Sequence, residues 1–94
     1  MAKSIIQPEK DCCFLCGRNG QLEKHHIFFE AKNRPLSERY GLTVYLCCIC
    51  HRDNKEGVHG NREKADFLRR IGQQAFERTH TREEFMRIFG KNRL

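Results

Sequence analysis

"LTVYLCCICH", residues 42–51, opens with β-branched and aromatic residues and closes on cysteines and a histidine. The first half reads as a strand, and the second as the turn it runs into. Cys47 and Cys50 form a C-x2-C pair, and His51 follows at once. A second pair, Cys13 and Cys16, lies upstream, with Gly17 easing the turn after it. Such a pair lets one tight turn aim two thiolates at a single ion, and two pairs complete the closed tetrahedral site of structural zinc. Cys12 and Cys48 are then spare, adequately explained as small buried or half-buried side chains. Cys12 could replace Cys13 in a wider turn, but the spacing of Cys13 mirrors the second pair.

Working outward, the rest of the chain favours metal over disulfides. The N-terminus, MAKSIIQPEKDCC, has no apolar run of the length that a signal peptide needs. No stretch approaches the roughly 18 apolar residues of a membrane span. The expectation is a cytoplasmic chain with no membrane association, whose thiols stay reduced. Ninety-four residues make one domain, and 32% of them are charged. A chain so short and polar needs a staple, which the cysteines supply. The net charge of +6 suits a polyanionic partner, of which nucleic acid is the commonest.

Between the two cysteine pairs lie thirty residues, Gly17 to Leu46. That exceeds the roughly 15–20 of a simple zinc ribbon, so a further element hangs between the knuckles. "QLEKHHIFF", residues 21–29, is expected as one strand of a hairpin and "LTVYLC", residues 42–47, as the other. Neighbouring side chains on a strand point to opposite faces, so His25 and His26 should not chelate one ion together. A division of labour follows: one histidine binds metal, while the other accepts a proton near neutral pH. A metal-ligating His25 facing His51 across the hairpin would define a second, open site. Arg34 and Arg39, in the expected loop between the strands, are candidates to clamp phosphates. His80 is expected as a surface residue.

Residues 1–10 read as a loose arm and 11–94 as the single domain. From Asn61 the apolar positions Ala65, Phe67, Leu68, Ile71, Ala75 and Phe76 follow helical spacing, with Asn61 as N-cap. Thr81 and Glu84 form a capping-box pattern for a second helix, which Gly90 ends. These two helices should cover the core and present a basic face.

The first C-x2-C, then "HHI" at residues 25–27, then "LCCICH" at 46–51 together resemble the HNH nucleases of the ββα-metal class. The nearest likeness is to the small zinc-stabilised kind of phages and prophages. It covers roughly Cys13 to Asn61 and implies an α+β fold: a ββα-metal core within residues 11–60, with residues 61–94 as additional C-terminal helices. It also implies a DNA endonuclease in which His25 and His51 ligate a divalent metal and His26 is the general base. The products would carry 5′-phosphate and 3′-hydroxyl ends. A third ligand is open between Asn54 and His59, with His59 preferred. Mg2+ or Mn2+ fits the mechanism, and imidazole donors also accept Ni2+ or Zn2+. The family's middle asparagine has no counterpart here, where Gly41, Leu42 and Thr43 stand. Two other readings remain: a zinc module that binds DNA without cutting it, and a phage packaging factor that works with a larger phage protein.

Overall fold

Two short strands, β1 (Glu23–His26) and β2 (Thr43–Leu46), pair antiparallel in a computed structural model that describes residues 3–94. Glu23 stands opposite Leu46, and His25 opposite Val44. The strands are shorter than the nine and six residues expected of them. Beyond His26, Ile27 still donates its N–H to the Leu42 carbonyl, and Ile27 and Phe28 turn wholly into the core.

Between the strands lies a helix, α1 (Arg34–Tyr40), where the sequence suggested only a loop. Its seven residues are too few to display an apolar period. Pro35 sits in its first turn and Gly41 closes it with φ +70°. A side chain at Gly41 would collide with the backbone carbonyl of Lys3, so glycine suits both the turn and the close approach. Ser37, fully buried, holds α1 to the end of β1: its hydroxyl accepts from Phe28 N–H and donates to the Phe28 carbonyl, both at 3.0 Å.

The outer edge of β2 needs partners for its backbone groups, and the N-terminal segment supplies them. Ser4 donates its hydroxyl to the Thr43 carbonyl, Ile5 N–H bonds the Gly41 carbonyl at 2.9 Å, and the Gln7 side chain accepts from Tyr45 N–H at 2.8 Å. The segment expected as a loose arm is thus tied down at residues 4–7; residues 1 and 2 lie outside the described part. Its polar composition concealed this, because the partners are backbone groups far along the chain.

The chain continues through α2 (Cys48–Arg52), α3 (Arg62–Phe76) and α4 (Arg82–Phe89), which makes an α+β fold of one two-stranded sheet and four helices among the described residues. Asn61 caps α3 by accepting from Lys64 N–H, and Thr81 and Glu84 form the reciprocal capping box on α4. Leu68, Phe76, Phe85 and Phe89 bury against Ile27, Phe28, Leu42, Val44 and Leu46 in one core. Phe28 meets Phe85 edge-on at 5.4 Å. Gly72 lets α3 lie close to the end of β1, since a Cβ there would sit 3.1 Å from Ile27 and 3.2 Å from Phe28. Phe67, expected on the buried stripe, is instead 48% exposed, because the face of α3 toward the core runs through Ala65, Leu68, Gly72 and Ala75. No helix among the described residues is long and apolar enough to cross a membrane.

Candidate metal centres

The four cysteines of the two C-x2-C pairs meet in space. Cys13, Cys16, Cys47 and Cys50 place all their sulfurs within 4.8 Å of one another. The Cys16 and Cys47 sulfurs are 3.7 Å apart. Zinc–sulfur bonds of about 2.3 Å put the edges of a tetrahedron at about 3.8 Å, so the spacing fits that ion. The turns are built locally: Cys13 N–H bonds the Arg18 carbonyl, Gly17 N–H returns to the Cys13 carbonyl, and the Cys47 sulfur accepts from Cys50 N–H at the start of α2. All six cysteines are free thiols. Burial alone would raise the Cys13 thiol, but hydrogen bonds from the backbone of Cys16, Cys47 and Leu15 outweigh it and hold the group down at about 6. Burial and the neighbouring sulfurs push Cys50 the other way. Four sulfurs this close suit a divalent cation that would bind them all as thiolates.

The strand alternation of β1 divides its polar side chains between two neighbours. Glu23 and His25 face α2, while Lys24 and His26 face α1. His25 is 1% exposed, and neither of its ring nitrogens has a hydrogen-bond partner. Burial, with the nearby His51 and His59 adding to it, pushes its pKa down to about 3, so the ring is neutral and can offer a lone pair. His51 comes from α2, directly after Cys50, and the sulfur knuckle sets its direction. His59 comes from the loop before α3. There the Asp53 carboxylate accepts from the N–H groups of Lys55 and Glu56, and buried Val58 donates to the Cys50 carbonyl.

The three imidazoles form a cluster whose ligand atoms lie within 4.8 Å of one another. The Nε2 atoms of His51 and His59 are 3.1 Å apart. His51 Nδ1–H donates to Glu23 Oε1 at 2.8 Å, which leaves Nε2 as the bare lone pair aimed at the cluster. That hydrogen bond, with Arg52 beside it, holds the Glu23 carboxyl below its usual range. Three converging nitrogens, one of them on a buried ring with no other partner, fit a divalent metal of imidazole preference. The cavity they border is about 160 Å3 and is also lined by Lys24, His26, Phe29 and Arg34.

His26 stands apart from the cluster. Its Nε2–H donates to Glu38 Oε1 at 2.9 Å, and Glu38 Oε2 accepts from Lys24 at 3.0 Å. An ionised carboxylate only accepts, so Nδ1 is the nitrogen left with a lone pair. The bond to His26, then that to Lys24, keeps Glu38 below the ordinary carboxyl range.

Of the phosphate-clamp candidates, Arg34 lines the cavity, whereas Arg39 does not and instead lies 5.7 Å from the Tyr40 ring centre. Both sit on α1 rather than in a loop. Asn54 is not among the residues that line the cavity, whereas His59 lines it and joins the imidazole cluster. Glu23 and Glu38 escaped sequence reasoning. The only available signal was that Glu23 lies two residues from His25 on one strand face; nothing pointed to Glu38. No family model, curated protein or solved structure matches the chain.

Proposed function

We propose that this protein is a metal-dependent endonuclease of the HNH, ββα-metal kind that hydrolyses DNA phosphodiester bonds. The observation that supports it most is His25: a fully buried imidazole with both nitrogens unpartnered, converging with His51 and His59 beside a separate histidine–carboxylate pair. A structural role alone gives no reason to leave such a ring unpartnered, since an unmet buried polar group costs about 1–3 kcal/mol.

In this reading His25, His51 and His59 hold a divalent cation, with Mg2+ or Mn2+ the first choice and Ni2+ or Zn2+ compatible with the donors. Such an ion supplies Lewis-acid stabilisation of charge on the phosphate and on the departing oxygen. His26 Nδ1 takes the proton of a water as the water oxygen bonds to phosphorus. Glu38 then faces the imidazolium that results and offsets its charge. The bond from phosphorus to O3′ breaks, its electron pair leaves with O3′, and solvent returns a proton. The ends are a 5′-phosphate and a 3′-hydroxyl. Arg34 binds a nonbridging oxygen and positions the phosphate. The four cysteines hold a structural zinc that fixes His51, a task suited to a reducing cytoplasm.

Plasmid nicking with added Mn2+ tests the proposal. The chain should convert supercoiled DNA to open circles, and His26→Ala should bind DNA equally while cutting at least about a hundredfold more slowly. If both proteins bind and neither cuts, the chain is a DNA-binding zinc module and the nuclease reading is lost.

A further inference from the structure

A second concave site of about 350 Å3 lies between the start of α3 and the C-terminal tail. Arg62, Asp66 and Arg70 line it from α3 at one-turn spacing, and Lys91, Asn92 and Arg93 from the tail. Asp66 is already engaged, by Arg69 at 3.2 Å and Arg62 at 3.7 Å. Arg70 and Lys91 are exposed and enter no ion pair among the described residues. The lining therefore carries an unbalanced positive charge.

The tail is held in place by a buried group. Gln73 is 0% exposed; its amide oxygen accepts from Arg93 N–H at 2.6 Å and its NH2 donates to Asn92 Oδ1 at 2.8 Å and Glu77 at 2.7 Å. Lys91 and Arg93 are thereby set against α3. A chain of side-chain contacts links the groove to the histidine cavity. Arg93 and Arg69 converge on Glu30, at 3.6 and 2.7 Å, and Arg69 lies 4.8 Å from the centre of the Phe29 ring. That ring packs on His59 at 4.5 Å.

We propose that this groove binds the nucleic-acid backbone, holding phosphates of the strand on one side of the histidine cavity. The inference rests on the nucleic-acid reading of that cavity and adds a surface for the same substrate. A phosphate chain is the polyanion whose repeated charges suit several Arg and Lys gathered along one groove. A lipid surface is a poorer match, because the site is concave and, Leu94 aside, its lining is polar.

The test uses the full chain carrying His26→Ala, so that nothing is cut, and a fluorescent duplex of about 25 base pairs titrated at several salt concentrations. Adding Arg70→Ala and Lys91→Ala should weaken binding about tenfold and lower the log–log salt slope by about 2. Arg70→Lys with Lys91→Arg should restore both, and Arg78→Ala with Arg87→Ala, an equal charge loss elsewhere, should change the slope by less. An unchanged slope, an equal loss in the Arg78 and Arg87 control, or tighter binding to anionic phosphatidylserine vesicles than to duplex overturns the groove. Plasmid nicking by the chain with His26 intact separates the two ideas. Nicking with no groove effect sinks the groove alone; a groove effect without nicking sinks the nuclease reading and leaves the groove as a binding surface.

Discussion

Glu23, the first residue of β1, accepts a 2.8 Å hydrogen bond from Nδ1 of His51, which lies on α2 twenty-eight residues later. One carboxylate thus decides which nitrogen of His51 carries the proton. The bond also ties the strand that bears His25 to the helix that begins at the sulfur cluster.

Glu23→Gln should therefore weaken divalent metal binding at the histidines. The amide can present its NH2 to Nδ1 and favour the wrong tautomer. The expected loss is about 10–100-fold in affinity, read by calorimetry with Mn2+. Zinc content at the cysteines should stay at one per chain.

Glu38→Gln acts on the other histidine. Neutralising Glu38 removes the charge that offsets the imidazolium of His26, so kcat should fall by about tenfold or more while Mn2+ affinity stays the same. Should metal binding fall in step with kcat, Glu38 supports the fold of the site rather than the proton transfer.

Acid should destabilise the protein when the histidine cluster is metal-free, and the sign follows from His25. Its folded pKa of about 3 lies below the ordinary 6.5, so the unfolded chain takes up the proton first. The penalty is absent above 6.5 and grows as pH falls toward 3, reaching about 2 kcal/mol by about pH 5. His59, held low by burial and by His51, adds in the same direction. Glu23 and Glu38 are lowered from 4.5, so their loss comes at still lower pH. Urea midpoints between pH 7 and about 5 should fall, and His25→Leu should flatten the curve and raise the midpoint at acid pH. A flat curve in the wild-type protein would count against a buried neutral His25.

Removing zinc should unfold the chain. Structural zinc contributes on the order of 10 kcal/mol, comparable to the whole stability of a small domain at about 5–15 kcal/mol. Far-ultraviolet circular dichroism after Cys47→Ser or strong chelation should lose its helical signal. Cys48→Ser, a change outside the cluster, should leave the spectrum intact.

Features that depend on near neighbours along the chain are legible in the sequence. The cysteine knuckles, the Asn61 cap and the Thr81–Glu84 box each need only residues within a turn or two, and strand alternation separates His25 from His26 without reference to the rest of the fold. The helix α1 is not legible there. Its seven residues are held by Ser37 bonding Phe28 and by the left-handed turn at Gly41, not by a visible apolar stripe.

Sequence by itself determined the two C-x2-C pairs and set His25 and His51 beside them, because local spacing dictates what a tight turn or an extended strand can present. Only the tertiary structure decided that Glu23 serves His51, that Glu38, twelve residues away, serves His26, and that the N-terminal segment completes the edge of β2. Those pairings join separate elements, and an exposed glutamate looks the same in sequence as one held against an imidazole. Packing of the core sets the distance between elements, and that distance selects the partner.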